Sequence, residues 1–184
     1  MSEIQALQVQ IPQAMIHNWG WFLAFGVGLL LLGFVAVVRS VMATVVTMLF
    51  FGWLLVLAAG IEAAQAFMVG AWAGFFLHLL AAVLFGVVGV LLLSRPMISA
   101  EVVTLFMAAF FLIGGLFQLI GSLVLSLPDR GWHALDGLIT LVLGVLVLAQ
   151  WPASGLWVIG LFVGIDLIFY GGVWIVLALH LRRM

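Results

Sequence analysis

Apolar residues run almost without interruption along this chain, and polar positions collect at a few short breaks. Six apolar stretches result: residues 19–38, 43–68, 73–93, 101–125, 132–149 and 155–181. A helix needs about 20 apolar residues to cross a bilayer core, and each stretch is near or above that length. The runs are continuous rather than alternating, which predicts helices and not barrel strands, and a helix satisfies its own backbone in lipid. The pattern predicts an all-α, polytopic membrane protein with six transmembrane helices. Residues 1–18 form the largest polar segment, an N-terminal interfacial piece too short to hold a core, and 19–184 form the membrane domain. The first span carries no signal-peptide cleavage pattern and reads as a retained anchor.

The breaks at 39–42 and 69–72 are a few residues long, so sequential helices should pack antiparallel. Pro96, Pro128 and Pro152 fall in or beside the remaining breaks and are expected outside the spans, where a missing N–H does no harm. The odd-numbered spans also repeat one another. Gly26 and Gly33 are seven apart, as are Ala82 and Gly89, and Gly137 and Gly144, at offsets of 56 and then 55. The same offsets align Trp21, Leu77 and Trp132, and also Arg39, Arg95 and Gln150. A register shared at four positions predicts three repeated helical hairpins, about 19–68, 73–125 and 131–181. Small residues at this spacing let helix backbones approach closely, and Gly70/Gly74 and Gly160/Gly164 add further small pairs.

Composition sharpens the class. Apolar residues make up 68% of 184, mean hydropathy is +1.47, and only 6% of residues are charged, far from the ~25% charged of ordinary globular domains. A net charge of −1 suggests no nucleic-acid partner. Cysteine is absent, which removes disulfides and thiolate metal sites. Six spans put both termini on one side, with Arg130, Arg182 and Arg183 against Arg39 and Arg95 opposite. That bias predicts cytoplasmic termini. Trp19, Trp21, Trp72 and Trp132 mark one interface, and Trp151 and Trp157 the other.

Polar side chains inside the spans are the candidate functional residues, because ionisable groups at membrane depth are costly and turn toward protein or water. They are Glu62, His78, Gln118, Asp136 and Asp166. Glu62 and His78 each lie eight residues from Gly70, roughly 12 Å below the turn at about 1.5 Å per residue. They should meet at one depth on adjacent helices. Gln118 and Asp136 each lie nine residues from Leu127 and repeat the arrangement. Asp166 lies near the middle of the last span, with Arg182 and Arg183 about four turns away. It must find a partner on another helix, reach water or stay neutral. Arg39 and Arg95, at span ends, are expected to snorkel to the interface, and Asp129 and Arg130 to be solvated in a loop. His17, His133 and His180 fall near interfaces, without metal-ligand spacing.

No phosphate loop, HExxH, GxSxG or CxxC is present. The expectation is therefore no enzyme, no catalytic residue, no cofactor and no metal. Gly131-Trp132 leads into Asp136-Gly137 and Gly144, then Trp151-Pro152, then the run from Leu161 through Gly164-Ile165-Asp166 to Phe169; the earlier turn reads Leu93-Ser94-Arg95-Pro96. Over roughly residues 19–181 this resembles the HdeD acid-resistance membrane protein family, also described as a short repeat of unknown function. The resemblance implies a bacterial inner-membrane location and a part in acid or other envelope stress. It carries over one polar position, Asp166. Gln118 departs, since similar proteins often have a basic residue near that point.

Two functions follow as expectations. The first is a non-enzymatic membrane protein acting through helix packing, as a homo-oligomer or with other membrane proteins, in a lipid bilayer. It expects Glu62, Asp136 and Asp166 each to be paired. The second is a proton or small-solute transporter or channel using the acidic residues at membrane depth, although the repeat is not the usual inverted pair.

Overall fold

A computed structural model describes residues 19–70, 72–124 and 129–182. The described chain is helical, with no strand: α1 (Trp19–Val38), α2 (Ser40–Met68), α3 (Trp72–Ser94), α4 (Pro96–Val124), α5 (Arg130–Ala149), a 3-10 turn (Ala153–Leu156) and α6 (Val158–Arg182). All six α-helices are long and apolar enough to cross a membrane, yet only 11–17% of their most apolar windows is buried. Lipid or other proteins must cover the rest, so the chain is a multi-pass membrane protein. The segment 1–18, Leu127, Pro128 and Arg183 lie outside the described residues.

Helix ends differ from expectation at several breaks. Arg39 alone separates α1 from α2, and Arg95 alone separates α3 from α4. Pro96 is therefore not in a connection but opens α4. The first helical position has no partner for an N–H, and proline's fixed φ suits it. Ser99 Oγ donates to the Leu91 carbonyl at 3.2 Å, tying the two helices across this corner. At the last break, Gly155 was expected in the final span but sits in the 3-10 turn, and α6 begins at Val158. Trp151 Nε1 donates to the Glu101 carbonyl at 3.1 Å, and Ser154 Oγ donates to the Val147 carbonyl at 2.7 Å. A methyl added at Gly155 would lie 2.6 Å from Glu101 Cα, so only glycine lets the turn seat against α4.

The chain divides into two compact units, one of residues through Val38 with those from Phe162 onward, the other Arg39–Leu161. In the second unit α2 packs along α3 and α4 along α5. Both seams are built on glycine pairs facing each other's carbonyls. A methyl on Gly52 would stand 3.2 Å from the Gly89 carbonyl oxygen, and one on Gly89 would stand 3.0 Å from that of Gly52. Gly115 and Gly137 do the same at 2.8 and 3.1 Å. In the first unit Gly33 and Gly164 repeat it at 2.8 and 3.0 Å. Such contact suits weak Cα–H···O bonds and dispersion, the forces that hold helices together where lipid removes the hydrophobic drive.

All six small residues of the odd-numbered repeat, Gly26, Gly33, Ala82, Gly89, Gly137 and Gly144, are buried. The Gly70/Gly74 pair is not a packing pair. Gly70 lies outside a helix with open space around it, and Gly74 meets only the Val69 side chain of its own turn.

Gly160 serves a different contact. It is the third residue of α6, where the backbone N–H has no helical acceptor. Thr44 Oγ1 on α2 accepts that N–H at 2.8 Å while donating to the Ser40 carbonyl at 2.9 Å. A side chain at Gly160 would collide with the Ser40 carbonyl. One α2 threonine thus caps α6.

Candidate polar sites at membrane depth

Four of the five polar candidates form two interhelical pairs. α2 and α3 bring Glu62 and His78 together, His78 Nδ1 donating to Glu62 Oε2 at 2.7 Å. Both side chains are half-buried, and the contact becomes an ion pair when the imidazole is protonated. α4 and α5 bring Gln118 and Asp136 together, Gln118 Nε2 donating to Asp136 Oδ2 at 2.5 Å. Each pair joins the two residues that counting outward from the connection predicts to meet. Each gives a carboxyl one donor from the neighbouring helix, and the Gln118–Asp136 contact lies on the exposed side of its helix pair.

Asp166 departs from the expectation of a paired carboxyl. It is exposed on α6 and has no hydrogen-bond or ion-pair partner among the described residues. The reason is angular. Gly164, Ile168, Gly171 and Ile175 form the α6 stripe that meets α1, and at about 100° per residue Asp166 points away from that stripe. Its nearest companions on the outward side are Phe169, Tyr170 and Val173, all exposed.

Arg39 and Arg95 are exposed at the helix corners, as snorkelling requires. Asp129 and Arg130 are exposed too, but only Asp129 is loop; it turns the chain at φ 62° and Arg130 begins α5. An αL conformation is one that aspartate tolerates. His133 and His180 are exposed, and Arg182 lies over the Trp19 ring at 5.1 Å.

Four buried polar residues were not singled out in the sequence: Thr44, Thr104, Ser122 and Ser154. Thr104 is fully buried in α4 and its hydroxyl has no partner among the described residues. A signal existed, because Thr104 lies 56 residues before Gly160, the repeat spacing. The even-numbered helices carry that spacing as clearly as the odd ones. Gly52, Ala108 and Gly164 align, as do Ala59, Gly115 and Gly171, and then Ala66, Ser122 and Ala178.

The same spacing aligns the even-helix members of the polar pairs with an aromatic residue. Glu62, Gln118 and Trp174 fall in one register, and so do Phe22 and His78. In the first unit Trp174 stacks on Phe22 with centroids 5.7 Å apart, and meets Phe25 edge-on at the same separation. One even-helix position therefore holds an acid, an amide and an indole, each touching the partner helix, while Asp136 stands about one turn beyond the place that matches His78 and Phe22.

The family described as a short repeat of unknown function, DUF308, matches residues 24–94 and again residues 80–149. The chain belongs to this family. The matches begin at residues 24 and 80, the same interval that separates Gly26 from Ala82. No curated protein and no solved structure matches the chain.

Proposed function

We propose that this chain is an HdeD-like, non-enzymatic protein of the bacterial inner membrane, with both termini cytoplasmic. It contributes to acid or other envelope-stress resistance by packing with itself or with partner membrane proteins. The observation that carries the reading is the use of polar groups at membrane depth. Glu62–His78 and Gln118–Asp136 each bond one helix to its neighbour, and the aligned Phe22–Trp174 contact joins helices without any polar group. These are struts between helices. Native mass spectrometry from lipid nanodiscs tests the packing half of the reading: an oligomer or defined complex is expected, and a lone monomer overturns it. Acid survival of a strain lacking the protein tests the other half, with loss of survival expected and full survival overturning it.

A proton or small-solute transporter is the competing reading, favoured by the unpartnered Asp166. It requires Asp166→Asn to change a measured flux in proteoliposomes.

A further inference from the structure

We propose that the outward face of α6 is a two-fold interface with a second copy of this chain, its central polar contact running from Tyr170 of one copy to Asp166 of the other. This names the surface for the self-packing reading above and rests on it.

The spacing on α6 is the first support. Asp166, Tyr170, Val173, Leu177 and His180 follow one another at intervals of 4, 3, 4 and 3, the seam of a left-handed helix pair. The seam is open: Tyr170 is 63% exposed and Val173 65%, and Leu177 is exposed as well. It lies opposite the Gly164/Gly171 stripe that α1 occupies, so a second helix can seat on it without displacing the first.

The chemistry of the seam selects the occupant. A carboxyl at mid-span needs a hydrogen-bond partner in the membrane, and the other polar candidates within the spans are already engaged with each other. Tyr170 is the only tyrosine in the chain, and its phenol is a donor one turn from Asp166. A helical side chain leans toward the N-terminus of its helix, so Tyr170 leans toward the Asp166 layer. Two copies inserted with the same topology present parallel α6 helices at equal depth. Two-fold symmetry then supplies each Asp166 with the other copy's Tyr170 and satisfies both carboxyls together. Between this layer and His180 at the helix end the seam is apolar (Val173 and Leu177), and one polar layer at mid-span also fixes register.

The absence of cysteine allows single-site crosslinking in a bilayer. Val173→Cys is expected to form a disulfide-linked dimer on mild oxidation, whereas Val90→Cys on exposed α3 is not. Adding Asp166→Leu, or the milder Tyr170→Phe, should cut the linked fraction about threefold or more, the scale of one interhelical hydrogen bond in a membrane. Asp166→Asn, which keeps an acceptor, should lose less. Dimers by native mass spectrometry without a Val173→Cys crosslink overturn the α6 interface and leave self-packing standing. A Val173→Cys crosslink insensitive to both Asp166→Leu and Tyr170→Phe overturns the polar contact. Crosslinking to a different protein overturns the second copy as occupant, and a monomer with no crosslink overturns both readings.

Discussion

Gly114 and Gly115 are neighbours on α4 with opposite surroundings, and together they measure how much the small-residue seam matters. A methyl added at Gly114 meets nothing within 4 Å. One added at Gly115 would stand 2.5 Å from the Leu141 backbone nitrogen and 2.8 Å from the Gly137 carbonyl oxygen. Both obstacles are α5 backbone, so no side chain can rotate away. Restoring ordinary contact moves the helices apart by about 1 Å, which opens the Cα–H···O pair and loosens dispersion along the seam. Overpacking of this kind costs about 1–3 kcal/mol. Both substitutions also gain the intrinsic preference of a helix for alanine over glycine, roughly 1 kcal/mol in peptides. Gly114→Ala should therefore be neutral or stabilising, and Gly115→Ala less stable than Gly114→Ala by about 1–3 kcal/mol. Because the composition change is identical, the difference isolates the seam. Unfolding by SDS titration in mixed micelles, or by steric trapping in bilayers, reads it directly. Equal stabilities would refute the claim that α4 and α5 touch backbone to backbone.

Two further outcomes are expected. A double-mutant cycle with Glu62→Ala and His78→Ala should give a coupling of roughly 0.6–1.7 kcal/mol, the range for interhelical hydrogen bonds in membranes. A coupling below about 0.3 kcal/mol, within the scatter of independent sites, would mean the pair joins nothing. Two isosteric threonine replacements should diverge in the same melt. Thr44→Val strands the buried Gly160 N–H and should cost about 1–3 kcal/mol, while Thr104→Val removes a hydroxyl that bonds to nothing and should be neutral or stabilising. Equal losses would contradict the assigned partners.

The legible part of the fold was what periodicity and depth encode. Trp19–Val38 appears at the expected bounds because lipid imposes length on a helix whatever its neighbours. The Glu62–His78 and Gln118–Asp136 contacts were legible for a similar reason. A tight turn makes two antiparallel helices share one depth scale, so counting outward from the turn pairs their residues. Pro96 was misplaced because a proline is equally at home in a connection and at the first helical position, and only the neighbouring chain decides. The Thr44 cap was illegible because Gly160 lies 116 residues away. Neither residue is unusual on its own. Asp166 was legible as an anomaly but not in its direction. Its outward placement follows from α1 taking the glycine stripe of α6, and α1 is separated from α6 by four other helices in sequence.

The seams and the flanking contacts obey different rules, and the difference bears on what the polar groups do. Along each seam the residue must be small, since the backbone opposite leaves no room, and Gly52/Ala59, Ala108/Gly115 and Gly164/Gly171 all comply. Three residues beyond the second small residue stand Glu62, Gln118 and Trp174. Here the requirement is only that a side chain reach the partner helix and attract what it finds. A carboxylate bonded to an imidazole, an amide bonded to a carboxylate and an indole stacked on a phenyl ring all meet it. A proton path would ask more, because each of its members must exchange a proton, and neither Trp174 nor Phe22 can. Interchange of Glu62, Gln118 and Trp174 at one repeat position, each with a different kind of partner, therefore argues for struts that hold helix pairs together. It leaves Asp166, which lies outside this register and faces away from its own helix pair, as the polar group directed at something beyond the chain.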